Sequence, residues 1–350
     1  MLAPLIHILP STTIQRERLL PVDGKVLVRA GQKVNATDFV AEGNLYPKYL
    51  LLDIARSLKI SVEKADGILE CQTGDQLGKG DIIAGPIGFT RRLVRAPEGG
   101  RVVLAGNGKV FLESIGKTYK IQAGVPGEVI DLIPNRGAVI EMDGALVQGV
   151  WGNGKVEYGL MYILATEQNH IITVDQFDVS LRGAIIMAGH CQDIEVLRLA
   201  EQLPLRGLIF SSMTPSLVAI AQEISIPLIV TDGIGRVPMN SDAHKLLSMN
   251  DKHEVALLAE PWDHLTGARP EIIIPLPGLE NTSLAKDILF FAPEQRVRVV
   301  RQPHMAKIGT IINILSINRF PSGLVAQAAE IQLDNGEKII HPLANLEVLA

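Results

Sequence analysis

Two groups of residues in this chain have the types and spacing to do chemistry. The first is His190-Cys191, Ser211-Ser212, Thr214 and Thr231-Asp232-Gly233. A thiol at a helix start beside a histidine has a lowered pKa and can act as a nucleophile. Ser212 or Thr214 ahead of Pro215 can leave helix N–H groups free for an anion, although ordinary N-capping uses the same residues. Adjacent residues such as His190 and Cys191 often point apart on a turn, so this set is read as a candidate ligand site with no catalytic residue assigned. No spacing of His, Cys and carboxylates makes a metal signature, and none is expected. The second group is basic: Arg296, Arg298, Arg301, His304 and Lys307 gather near the C-terminus, where they are expected to face a partner.

The elements that must position the first group alternate in type. From residue 183 the apolar runs GAIIMAG, GLIFSS and PLIVTDG are separated by CQDIEVLRLAEQL and TPSLVAIAQEI, and SDAHKLLSM follows. This rhythm predicts parallel strands with crossover helices, and ligands favour the carboxyl ends of such strands. His190, Ser212 and Asp232 would then share one edge of a parallel α/β domain spanning 128–290.

Composition narrows the classes. With 350 residues, 47% of them hydrophobic, the chain can bury more than one core, so two or three domains are expected. A formal charge of −5 and a pI near 5.9 supply no global pull toward nucleic acid or anionic membrane, and any polyanion site must be local. Cys71 and Cys191 are the two cysteines, which suits a reducing cytoplasm better than a disulfide framework. The start MLAPLIHILPSTTIQRER lacks a basic segment before its apolar stretch and is too short to span a bilayer, so neither a signal peptide nor membrane association is expected.

Residues 24–41 are echoed by residues 67–84. Gly24, Gly31, Asp38 and Ala41 match Gly67, Gly74, Asp81 and Ala84, each pair 43 positions apart. Each copy reads as strand, glycine turn and second strand, and the two are expected to interlock as halves of one fold. The second copy continues through Gly74-Asp75, Lys79-Gly80 and Ala96-Pro97 to Gly100 and Val102, and over residues 20–125 it resembles the biotinyl/lipoyl family of barrel-sandwich hybrids. The resemblance implies a barrel-sandwich hybrid over 1–127, and the helical spacing of leucines and isoleucines in YLLLDIARSLKI (49–60) predicts an amphipathic helix inserted between its halves. Phe89 stands where that family's biotinylated lysine would be, and Lys48 lacks the flanks of a lipoyl lysine, having Tyr46, Pro47 and Tyr49 beside it. No cofactor is therefore expected.

Two further resemblances complete the expected plan. RGLIFSSMTPSLVAIAQEISIPLIV (206–230) is similar to the swivelling phosphohistidine domain of phosphoenolpyruvate-utilising enzymes, but Ser216-Leu217 replaces its Ser-His, so the resemblance implies fold shape and argues against phosphotransfer by that route. The tail, 291–350, resembles KOW-type SH3-like barrels of transcription elongation factors and ribosomal proteins, through Arg296-Val297-Arg298-Val299, Gly309 and the Asp334-Asn335-Gly336 turn. The expected fold is thus a multidomain α/β plus β chain: barrel-sandwich hybrid, parallel α/β domain and C-terminal SH3-like barrel. The expected function is a non-enzymatic binding or scaffold protein that docks a macromolecule through the tail, and the resemblance of the tail implies a setting in the transcription or translation machinery. A protein partner is favoured over RNA. The alternative is an enzyme or sensor that binds a phosphate-bearing small molecule at the strand ends.

Overall fold

The computed structural model describes residues 2–45, 48–88, 91–114, 118–263, 266–276, 278, 283–285 and 289–350. Phe89, Tyr46 and Pro47, which bear on the attachment-site expectation, lie outside them. Strands dominate and helices are few and short. This corrects the expected fold class at three places, each for a distinct physical reason.

The repeat is real in its hydrogen bonding, but it builds two nested units with separate cores instead of one barrel-sandwich hybrid. Gly31 N donates to Val129 O at 2.7 Å, and Gly74 N donates to Val102 O at 2.8 Å. Asp38 accepts from Asn35 N at 2.7 Å, and Asp81 accepts from Gly78 N at the same distance. Val26 pairs with Ala41, and Leu69 with Ala84. Gly31 and Gly74 both have positive φ, 78° and 101°, a backbone state that a side chain would disfavour. The strands completing each copy follow the same scheme. Phe39–Asn44 pairs with Thr118–Gln122, and Ile82–Ile87 with Arg92–Arg95. Lys33–Val34 pairs with Gly127–Ile133, and Gln76–Leu77 with Gly100–Gly106. The second unit, from Tyr49 to Ser114, is therefore inserted between two paired strands of the first. Val28, Val34, Val40, Ile121, Ala138 and Ile140 form the outer core, whereas Cys71, Ile83, Ala84, Val102, Val110 and Leu112 form the inner one. The stretch expected to be one helix opens as the strand Tyr49–Asp53, and only Ile54–Leu58 within it is helical; a second short helix, Val62–Asp66, follows it. The apolar run Leu50-Leu51-Leu52 fits either state, and pairing with Lys109–Ser114 decides it.

The expected parallel α/β domain is not a domain of its own. Val156–Ile163, Ile185–Cys191, Gly207–Met213 and Leu228–Ile234 do pair in parallel. They belong, however, to a mixed sheet of 11 strands that continues antiparallel through Glu254–Leu258, Glu271–Pro275 and Gly137–Gln148 into the outer unit. Strands buried on both faces read as continuous apolar runs whichever way their neighbours point, so sequence does not reveal where parallel pairing stops. Helix Ile194–Gln202 covers one face and Ser241–Ser248 the other, and each buries an apolar stripe beneath a polar exterior.

The tail is an open sheet and not a closed SH3-like barrel. Its strand order is Leu5–Ile6, Leu346–Leu349, Arg296–Val299, Ile308–Arg319, Val325–Leu333, Lys338–Pro342. Among the described residues the last strand does not return to the first. The outer position beside Leu346–Leu349 is taken by Leu5–Ile6 from the other end of the chain, paired in parallel. Val297, Val299, Ile311, Ile331, Leu346 and Val348 make its core.

Candidate functional site

Three parallel strands bring the first chemical group into register: His190 lies beside Ser212, and Ser212 beside Gly233. Ser212 Oγ donates to Val237 O at 2.7 Å and accepts from Val237 N at 3.2 Å. With the hydroxyl proton committed to that carbonyl, the 2.9 Å approach of His190 Nδ1 must be an imidazole N–H donating to Ser212. The proton thus points the wrong way for His190 to act as a base on Ser212. Burial, and then the charge of Arg236, lower the His190 pKa and keep the ring neutral. Cys191 is wholly buried, and that burial pushes its thiol up to about 12, the opposite of an activated nucleophile. Ser211 is equally buried, with its Oγ 3.4 Å from that of Ser212, and Thr214 stands 3.5 Å from His190 Nε2. His190, Ser211, Ser212 and Thr214 thus form one hydrogen-bonded cluster inside the sheet, while the Cys191 thiol is directed to Asp193 O at 3.6 Å.

Asp232 has a different environment. Its Oδ2 accepts from Thr231 Oγ1 at 2.7 Å, and its Oδ1 accepts from Asn240 N at 3.1 Å and from Arg298 Nη1 at 3.0 Å. Arg298 also donates to Glu347 at 2.7 Å, and Glu347 accepts from Arg269 at 2.6 Å. All four side chains are at least nine-tenths buried. Two guanidinium and two carboxylate groups alternate along this chain, so its charge cancels. Arg269 is stacked on the Trp262 ring, 4.5 Å from its centroid. The middle sheet, the tail and the segment before Glu271–Pro275 are thereby joined by one ionic run. One strand pair holds the tail members, since Arg298 and Glu347 are direct cross-strand partners.

A cavity of about 360 Å³ lies against this junction, lined by Trp262, Arg269, Arg301 and Met305, among others. Of the strand-end set, Asp232 and Gly233 reach its wall, while His190, Cys191, Ser211, Ser212, Thr214 and Thr231 do not. Trp262, Arg269 and Glu347 were not legible as site residues. The available signal was a lone carboxylate in the apolar strand LEVL, which once buried requires a cationic partner.

The basic group is largely neutralised within the tail. Arg296 pairs with Asp334 through two bonds, Arg298 lies in the buried chain, and Lys307 Nζ is 3.2 Å from Glu337. His304 Nδ1 and His341 Nε2 are 2.9 Å apart. His341 Nδ1 is buried with no hydrogen-bond partner among the described residues, so the shared proton sits on His341 Nε2 and leaves a bare lone pair, not an orphaned N–H, in the interior. Arg301 is exposed, and no ion pair involving it is found among the described residues.

Among the described residues no group of three or more His, Cys, Asp or Glu is arranged to hold a metal ion, and no helix is long and apolar enough to cross a membrane. No protein-family model matches the chain, and neither does any curated protein sequence.

Proposed function

We propose that this protein is a non-enzymatic scaffold that docks a protein partner through its tail. The observation that carries this reading is the apolar tip of the hairpin Ile308–Arg319 and Val325–Leu333. There Ile317 is 78% exposed, Leu324 51% and Val325 52%, beyond the reach of the tail core. Isolated exposed apolar residues are ordinary, but several together on a projecting element mark a recognition surface. The strand-end cluster supports the same reading by subtraction, because its hydroxyl, imidazole and thiol are already committed or protonated. The docking surface accordingly moves from the 300–307 loop, whose cations are mostly paired, to the hairpin tip.

The test is recovery of partners from native extract by the full chain, with and without nuclease, compared with the double variant Ile317→Glu, Leu324→Glu. A nuclease-resistant partner lost in the variant, with thermal unfolding unchanged, supports the proposal. Recovery that nuclease abolishes would replace the protein partner by RNA, and identical recovery by the variant would remove the tip as the docking surface.

A further inference from the structure

The inserted unit has an open sheet edge. In its four-stranded sheet Tyr49–Asp53 is outermost, paired on one side with Lys109–Ser114. Ile54 N donates to Gly108 O at 2.9 Å, and Ser114 N to Lys48 O at 2.8 Å. Bonded and non-bonded pairs alternate in an antiparallel ladder, so Leu50 and Leu52 bond inward and the backbone groups of Tyr49, Leu51 and Asp53 face away from the sheet. No strand pairs with that side among the described residues.

The outer unit shows what this position looks like when it is blocked or filled. Glu17 and Gln15 hold the ladder places there that Leu51 and Tyr49 hold here. Thr13 N, in the same outward phase, donates to Ser283 O at 3.2 Å. In the inserted unit Leu51 is 62% exposed and Leu104 63%. Leu104, Phe111 and Leu51 are successive cross-strand partners, giving one apolar row that ends at the bare edge. Leu50 to Leu52 contain no charge, proline or bulge of the kind that normally discourages pairing there.

We propose that this edge pairs antiparallel with the same edge of a second copy, about a twofold axis at Leu51. That register sets Tyr49, Leu51 and Asp53 against the partner's Asp53, Leu51 and Tyr49: the outward groups of the two Leu51 residues pair with each other and the Asp53 N–H with the Tyr49 carbonyl, while the Asp53 carbonyl, which already accepts from Ser57 Oγ at 2.6 Å, offers the Tyr49 N–H its second lone pair. The two apolar rows become one, continuous across both sheets. Charge is compatible: Tyr49, whose phenol donates to Glu113 at 2.7 Å, meets a carboxylate, and that carboxylate lies beside Lys109 in its own ladder. A pair of five-residue strands lies below the area of a stable interface, about 1,200 Å², so the dimer belongs to the weak, concentration-dependent class.

Sedimentation velocity on the full chain from micromolar to millimolar concentration tests this. The mass is expected to rise toward that of a dimer while the Leu51 amide exchanges at least about tenfold more slowly at the high end. Leu51→Pro removes an outward N–H and no ladder bond, so it should stay monomeric with unchanged unfolding. If that variant does not fold, exchange at Leu51 in the wild-type chain decides alone. A monomer at every concentration, a Leu51 amide indifferent to concentration, or a dimer that survives Leu51→Pro but is lost in Leu104→Glu would overturn the proposal, the last by assigning the contact to the sheet face.

Discussion

Replacing Arg298 by methionine should destabilise the junction more than any other single change to a charged residue of the tail. Arg298 stands between Asp232 and Glu347, and Glu347 keeps Arg269 when it is gone. Asp232 keeps Thr231 and the Asn240 N–H but loses its only countercharge among the described residues, at a site where its side chain is 4% exposed. Removing one member of a buried pair costs about 3–5 kcal/mol, most of it from the stranded charge and not from the lost attraction. Hence Asp232→Asn added to Arg298→Met should recover part of the loss, with a coupling of about 1–3 kcal/mol in the double-mutant cycle. Urea unfolding followed by Trp fluorescence reads both quantities, and Trp262, stacked on Arg269, reports on the junction itself. A loss below about 1 kcal/mol for Arg298→Met, the range of exposed ion pairs, would refute the view that this chain of charges clamps the tail to the sheet. So would strict additivity of the two substitutions.

Two further outcomes follow from the geometry. Gly100 and Gly127 hold equivalent places in the nested units, and a Cβ at either would lie 2.3 Å from a strand carbonyl, that of Glu113 or Glu141. Alanine at each should cost about 1–3 kcal/mol, and hydrogen exchange should rise in the unit that carries the substitution; a rise in both units from either change would contradict separate cores. For pH, His341 is held below its ordinary 6.5 by burial and then by His304, and His190 by burial and then by Arg236. The folded state then binds fewer protons than the unfolded one, so stability is complete above 6.5 and is lost as pH falls toward the lowered values, at up to about 1.4 kcal/mol per pH unit for each ring. Unfolding midpoints that do not move between about pH 7 and pH 5, or that rise there, would refute the sign; His341→Phe should flatten the slope.

The repeat was legible because its turns are carried by side chains that cannot be exchanged freely: glycines at positive φ, and aspartates whose carboxylates accept a backbone N–H three residues earlier. Its second half is fainter, since Thr118–Gln122 and Arg92–Arg95 match in ladder position but have in common only a β-branched residue, Ile121 or Val94, opposite the repeat's Ala41 or Ala84. Alternation of strand and helix around His190, Ser212 and Asp232 was visible as well, and it did place those residues side by side. What sequence does not encode locally is the continuation of the sheet into antiparallel strands, or the choice of Leu5–Ile6 as the tail's edge partner. The first depends on pairings across about a third of the chain, such as Gly144 with Pro275, and the second on one across nearly all of it, Leu5 with Val348. The same holds for Arg298 and Glu347, which look like surface charges until their strands pair.

The nesting of the units also dictates an order of events. Asn44 and Thr118 are ladder partners, yet the whole inserted unit lies between them in the chain. For a growing or refolding polypeptide, closing that ladder across a disordered stretch is slow, because the loop entropy is lost before any long-range contact rewards it. Once the inserted unit has folded, it holds its own ends near each other, and the outer strands meet as if joined by a short loop. Inner folding therefore precedes and accelerates outer folding, and a lesion confined to the inner core, at Leu112 or Val102, delays strands whose own side chains it never touches.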